Sequence, residues 1–211
     1  MNKPTKIVIL DYGVGNLYSL ARAVSNFTSD YLVTDDAETI ASADKLIMPG
    51  VGSFEAGMSG IRVRGLEKAI KQFAQSGRSI LGICLGAQIL MSQGREFGKF
   101  KGLDIIPGEV VKFPALKTGK VPHIGWNQLA LKPISTETTL FTNTTPEPYF
   151  YFVHSYIMKP ESSQHIIATT EYGGCEFCSV VQAGRVYGVQ FHPEKSGAAG
   201  MRLIRNFINQ T

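Results

Sequence analysis

Along the first half of the chain, short unbroken apolar runs alternate with longer stretches whose apolar positions recur every three or four residues. IVIL within KIVIL (6–10) is apolar throughout and too short for a helix, so it reads as a strand buried on both faces. The glycine turn DYGVGN follows, and LYSLARAVSNF (17–27) then has helical spacing. YLVTD and DKLIMPG read as strands, and GLEKAIKQFAQSG (65–77) as an amphipathic helix ending at Gly77. SILGIC (79–84) is a third strong strand, and LGAQILMSQ opens another helix. This rhythm predicts a parallel sheet covered by helices.

The second half has a different texture. EVVKF, WNQLALK, YFYFVHSYIM, HIIATTEY, CSVVQAG and RVYGVQF are strand-like runs set close together, which predicts antiparallel additions and extensions to the sheet. MRLIRNFIN reads as a closing helix. No repeat, low-complexity tract or linker-like shift interrupts the chain. The expectation is one α/β domain over 1–211, with an open, mixed, mostly parallel sheet and flanking helices.

Composition narrows the function. A chain of 211 residues suits one domain, and 44% apolar with 18% charged residues is ordinary for a globular protein. The net charge is +4, without the basic stripe and interleaved aromatics of a nucleic-acid surface, so no nucleic-acid partner is expected. Asp11 follows IVIL at once, which fits neither a signal nor a transit peptide. The longest apolar stretch, ILGICLGAQILM, is shorter than the roughly 18 residues of a membrane span. Three cysteines, Cys84, Cys175 and Cys178, are an odd number and read as reduced thiols in the cytoplasm.

Cys84 is the residue with chemistry attached. It stands where a strand yields to a helix, with Gly82 and Gly86 two residues away on either side. G-x-C-x-G has the shape of the nucleophile elbow G-x-S-x-G. The glycines let the turn tighten, and the free N–H groups after the thiol favour thiolate and can hold a developing oxyanion. Taken alone, the motif is also compatible with a small apolar residue in a βα turn.

A thiol nucleophile needs a base, and the base needs an orienter. Of four histidines, His192 stands in GVQFHPEKS. Pro193 biases His192 towards an extended backbone, in which residues two apart share a side. His192 and Glu194 are therefore expected to project together, leaving one ring nitrogen for Cys84. Oxyanion donors are expected from MPGVGSF (48–54), where Gly50 and Gly52 flank Val51, and from the N–H of Leu85.

GICLGAQ, PGVGSF and GVQFHPEKS, in this order and spacing, resemble the class I, triad-type glutamine amidotransferases over nearly the whole chain. VPHIGWN (121–127), YFYFVHSY (149–156) and HPEKSGAAG (192–200) look like that family's glutaminase subunits serving imidazole glycerol phosphate formation in histidine biosynthesis. Ala87 departs from the larger residue usual after GICLG and leaves the triad intact. The resemblance implies glutamine hydrolysis through a cysteine thioester, no cofactor, and a heterodimer with a cyclase subunit of (β/α)8-barrel type that receives the ammonia.

It also implies roles. Cys84, His192 and Glu194 become nucleophile, general base and acid, and orienter. Gln88 holds glutamine, and the backbone of His154, Ser155 and Tyr156 holds its α-amino and carboxylate ends. Gly50, Val51 and Gly52 form the oxyanion strand, while Asn16, Trp126 and Lys195 sit at or near the partner face. Hydrolysis without an acceptor wastes glutamine. A subunit lacking the acceptor site therefore gains from donors that point away at rest and turn in when the partner docks.

Other residues carry less. Cys175 and Cys178 form a lone C-x-x-C, and three-residue spacing on a strand faces opposite sides, so no metal site is expected. His123 and His165 lie in strand-like segments and read as structural. Trp126 reads by composition as core. RVR (62–64) reads as a solvated helix face rather than a phosphate site. The alternatives left open are a paralogue feeding ammonia to another synthase, as in sugar amidation, a stand-alone cysteine hydrolase, and an inactive glutaminase that regulates a partner.

Overall fold

The computed structural model describes residues 5–132, 139–145 and 147–210. Residues 1–4, which begin the MNKPTKIVIL stretch, lie outside them. The first half runs β1 (Ile7–Leu10), α1 (Leu17–Ser25), β2 (Tyr31–Thr34), α2 (Ala37–Ser42), β3 (Lys45–Met48), α3 (Phe54–Val63), α4 (Glu67–Gln75), β4 (Ser79–Ile83) and α5 (Leu85–Ile89). The second half runs β5 (Met91–Gly94), β6 (Phe100–Lys101), β7 (Ile106–Lys112), β8 (His123–Gln128), β9 (Ala130–Leu131), β10 (Tyr149–His154), β11 (Tyr156–Pro160), β12 (Ile166–Tyr172), β13 (Cys175–Ala183), β14 (Val186–Val189) and α6 (Gly197–Gln210).

A mixed sheet in the order β2-β1-β3-β4-β14-β13-β11-β7-β5-β6 organises the chain. Strands β2, β1, β3, β4 and β14 are mutually parallel, and β13 and β11 extend the sheet antiparallel. The uniform apolarity of β1 has a simple cause. Ile7 and Ile9 face the core beneath α1 and α6, Val8 and Leu10 face the core beneath α2–α5, and all four are fully buried. Caps start the helices: the side chains of Asn16, Asp36 and Ser53 accept from the N–H groups of Ser19, Thr39 and Ala56.

Several expectations change in detail. LGAQILMSQ is helical only to Ile89, because Met91–Gly94 is captured as a strand beside β7. YFYFVHSYIM bends at Ser155: β10 pairs with β8 in a separate two-stranded ribbon, and β11 joins the main sheet. His165 ends a 3-10 turn, Ser163–His165, rather than lying in a strand. Trp126 is not core. It is 56% exposed on β8, because that ribbon buries Phe150 and Phe152 and turns Ile124 and Trp126 outwards.

The segments that carry the elbow, the His192–Glu194 pair and the glycine loops leave the sheet at one edge. β1, β3, β4 and β14 are parallel, so the segments after them, DYGVGN, PGVG, CLG and QFHPE, emerge together at their C-terminal ends. Open α/β sheets bind ligands in that position.

Candidate active site

Cys84 has φ 53° and ψ −109°, a left-handed backbone that a residue with a side chain seldom adopts. Its neighbours explain how the turn closes. A Cβ on Gly82 would lie 2.7 Å from the Gly86 carbonyl oxygen, and one on Gly86 would collide with the Met48 carbonyl. The elbow is thus wedged against β3, and the Cys84 N–H donates to Val189 on β14 at 2.8 Å. Strain at one residue is held by packing on both sides.

His192 Nδ1 lies 2.9 Å from Glu194 Oε1, and both side chains are almost wholly buried. The local path differs from the extended one expected. His192 itself is extended, at φ −104° and ψ 95°, but Pro193–Lys195 forms a 3-10 turn, and the turn brings the carboxylate back to the ring. The segment is braced: the His192 N–H donates to Tyr151 at 2.9 Å, and Ser196 Oγ donates to the His192 carbonyl at 2.6 Å. The second ring nitrogen is buried and makes no hydrogen bond of ordinary geometry. Burial alone would lower the imidazole pKa, but the adjoining Cys84 sulfur and Glu194 carboxylate outweigh it and push the pKa up to about 9.

The other histidines differ. His154 Nδ1 donates to the Tyr156 carbonyl at 2.8 Å, so its Nε2 accepts from His123 Nδ1 at 3.1 Å. Burial depresses the pKa of His154 to about 3, and that of His123 to about 4. His123 is stacked on Tyr172 at 3.9 Å between ring centroids. Both rings are neutral, packed and fully engaged, so neither competes with His192 for a proton at neutral pH.

A cleft of about 300 Å³ opens over Cys84, lined among others by Val51, Gly52, Leu85, Gln88, His154, Ser155 and Tyr156. The expected oxyanion and substrate-holding residues therefore meet at the thiol. Gly50 lies just beneath, and its carbonyl accepts from the Leu85 N–H at 3.4 Å. Glu96 also lines the cleft, and the sequence pattern does not point to it. Its carboxylate accepts from the Phe54 N–H at 2.7 Å. An isolated Glu in REFGK carries no signal of this, because the contact spans 42 positions.

Of the expected partner-face residues, Asn16 and Lys195 are exposed, like Trp126. Asn16 also borders a narrow crevice lined by Pro49, Gly50, Val51, His192 and Glu194. Cys175 packs towards the α1 and α6 face of the sheet, and Cys178 towards the opposite face. In the RVR segment, Arg62 pairs with Glu67 at 3.7 Å and Arg64 with Asp35 at 3.4 Å.

A thiol on a strained turn, opening with backbone donors on one cleft and adjoined by a buried carboxylate-paired imidazole, suits acyl transfer from an amide. Residues 8–211 match the family described as "Glutamine amidotransferase class-I". The chain is 41% identical over 201 residues to the imidazole glycerol phosphate synthase subunit HisH of Chlorobaculum tepidum, covering 95% of this chain and 98% of that one. To the protein of the same name from Rhodopirellula baltica it is 44% identical, covering 95% and 96%. Among solved structures, PurLQS from Thermotoga maritima superposes with a TM-score of 0.72 at 19% identity, covering 98% of this chain and 99% of that one. A glutamine amidotransferase from the same organism gives a TM-score of 0.61 at 17% identity, covering 98% and 83%. At that identity the two structures speak for the fold alone. With the family matched from the first strand to the last helix, the chain belongs to the class I glutamine amidotransferases.

Proposed function

We propose that this chain is the glutaminase subunit of an imidazole glycerol phosphate synthase, working in the cytoplasm in histidine biosynthesis. It would dock on a cyclase subunit of (β/α)8-barrel type that receives the ammonia. The observation that carries the chemistry is Cys84 and Leu85 opening on one cleft, with the buried His192–Glu194 pair adjoining the Cys84 sulfur. The relatives at 41–44% identity over nearly the whole chain carry the assignment to this synthase.

In this reading Cys84 Sγ attacks the side-chain amide carbon of glutamine, and His192 takes the thiol proton. The tetrahedral oxyanion falls between the N–H of Leu85 and that of Val51. His192 then gives its proton to the departing ammonia, leaving a thioester, and activates the water that releases glutamate. Glu194 fixes the ring and stabilises its charged form. Gln88 and the backbone of His154–Tyr156 hold the substrate, and the Glu96 carboxylate faces its ammonium group.

The resting geometry fits a subunit that waits for a partner. The Leu85 N–H is taken up by the Gly50 carbonyl, so the Gly50–Val51 peptide must turn before both donors serve the oxyanion. Asn16 and Lys195 adjoin this strand and the His192–Glu194 turn, and Trp126 is exposed nearby on β8. A protein docked over them bears directly on the segments that must move.

Reconstitution tests the reading. Mixed with the cyclase encoded by the same genome, the chain should support glutamine-dependent formation of imidazole glycerol phosphate. Cys84→Ala should leave only the ammonia-dependent reaction. Formation that ignores this chain would contradict the assignment.

A further inference from the structure

The sulfur of Cys84 has a polar neighbour outside the Cys84–His192–Glu194 set. Gln190, with no exposed surface, places its Nε2 3.7 Å from Cys84 Sγ, within reach of an N–H···S hydrogen bond. Gln190 Oε1 accepts from Gln88 Nε2 at 3.1 Å, and Gln88 Nε2 also donates to the Tyr156 carbonyl at 3.2 Å.

The direction of every bond in this chain follows from its last member. A backbone carbonyl can only accept, so Gln88 must present its NH2 group to Tyr156. Gln190 must then offer its oxygen to that NH2, and its own NH2 is left facing the sulfur. The Gln190 N–H on the main chain donates to Ser179 on β13 at 2.9 Å, which fixes the residue on the sheet. A fully buried carboxamide with both ends committed is costly to place unless those bonds matter.

We propose that Gln190 is a further catalytic residue of this site: its Nε2–H holds the Cys84 thiolate, and its Oε1 locks the Gln88 carboxamide that faces glutamine. The proposal rests on the glutaminase reading above and adds a second donor to the sulfur. A thiolate accepts a hydrogen bond far better than a thiol, so a donor aimed at it favours the reactive form. The same donor serves deacylation. Water adds to the thioester carbon, the carbon–sulfur bond breaks, and sulfur leaves as thiolate towards an N–H already in place while His192 holds the water's proton. Through Gln88, the residue that grips the substrate is bonded to the residue that grips the nucleophile.

The test is Gln190→Met, which keeps length and volume and removes the donor. Alkylation of Cys84 by iodoacetamide, read on its own peptide, should be about ten- to a hundred-fold slower at pH 7, the worth of one hydrogen bond to a charged group. The rates should converge at a pH high enough to ionise both thiols, which a merely disturbed fold would not produce. Glutaminase kcat should fall by a similar factor. A folded variant alkylated at the wild-type rate at pH 7 would overturn the proposal. If Gln190→Met does not fold, Gln190→Glu retains the acceptor for Gln88 and should show the same slowing; its absence would overturn the proposal equally. Alkylation needs no glutamine, so a wild-type chain without glutaminase activity even with its cyclase and that partner's ligand would sink the functional reading and leave this inference standing.

Discussion

The N–H of Leu85, the residue after Cys84, points at the carbonyl oxygen of Gly50 across 3.4 Å. That backbone bond takes up the N–H proposed to hold the oxyanion, and it joins the elbow to the strand proposed to supply the second donor. The space there is tight. A Cβ on Gly50 would lie 2.9 Å from Leu85 Cβ and 3.1 Å from the Gly86 nitrogen, and would strike the Tyr12 hydroxyl, which donates to the Pro49 carbonyl. Gly50→Ala should therefore cost about 1–3 kcal/mol in denaturant unfolding, the usual penalty of overpacking. By pushing the strand off Leu85, it should also lower partner-activated turnover by about 10²–10³-fold, the loss of one oxyanion donor. Wild-type stability and turnover in this variant would contradict the packing account.

The three thiols should separate cleanly towards a glutamine-analogue electrophile. Burial pushes the Cys178 thiol up to about 12, and burial with the nearby Glu171 raises that of Cys175. Neither lines the cleft that Cys84 faces. Mass spectrometry of the labelled protein should find the adduct on Cys84 alone, and Cys84→Ala should abolish it with the fold intact. Equal labelling of all three cysteines would remove the case for a specially placed nucleophile.

The histidines pull stability in opposite directions with pH. His192 rises on folding from the ordinary 6.5 to about 9, so its contribution is complete below about 6.5 and is lost as pH climbs through 9. His123 and His154 fall to about 4 and about 3, so their contribution is complete above 6.5 and is lost as pH drops below it. Unfolding free energy followed from pH 5 to 10 should show both limbs. His192→Asn should flatten the alkaline limb and cut turnover by several orders of magnitude, while His154→Asn should flatten part of the acid limb and cost far less in kcat. An alkaline limb unchanged in His192→Asn would contradict the assignment of the raised pKa.

What could be read from the sequence was mostly what is local. IVIL, SILGIC and the spacing of GICLG fix strands and an elbow, because the constraint lies within a few residues. The HPE segment was legible in its outcome but not its path: a 3-10 turn, not an extended run, joins His192 to Glu194. Helix α3 escaped periodicity because Gly57 and Gly60 dilute its apolar face. A Cβ on Gly57 would press on Leu85 at 3.1 Å, and one on Gly60 would strike the Tyr12 carbonyl. Gln190 and Glu96 could not be found this way, since their partners lie 106 and 42 positions distant. Trp126 was misplaced by its type alone, because only the pairing of β8 with β10 decides which face of that ribbon is covered.

The most direct test of the whole account is glutaminase activity measured three ways: the chain alone, with its cyclase, and with the cyclase plus that partner's ribonucleotide ligand. A Leu85 donor held by Gly50 predicts a nearly silent isolated chain. The rate should climb at the ligand step by about two orders of magnitude or more, the size of one restored oxyanion donor. Full activity in the isolated chain would contradict the account and make the protein a stand-alone hydrolase.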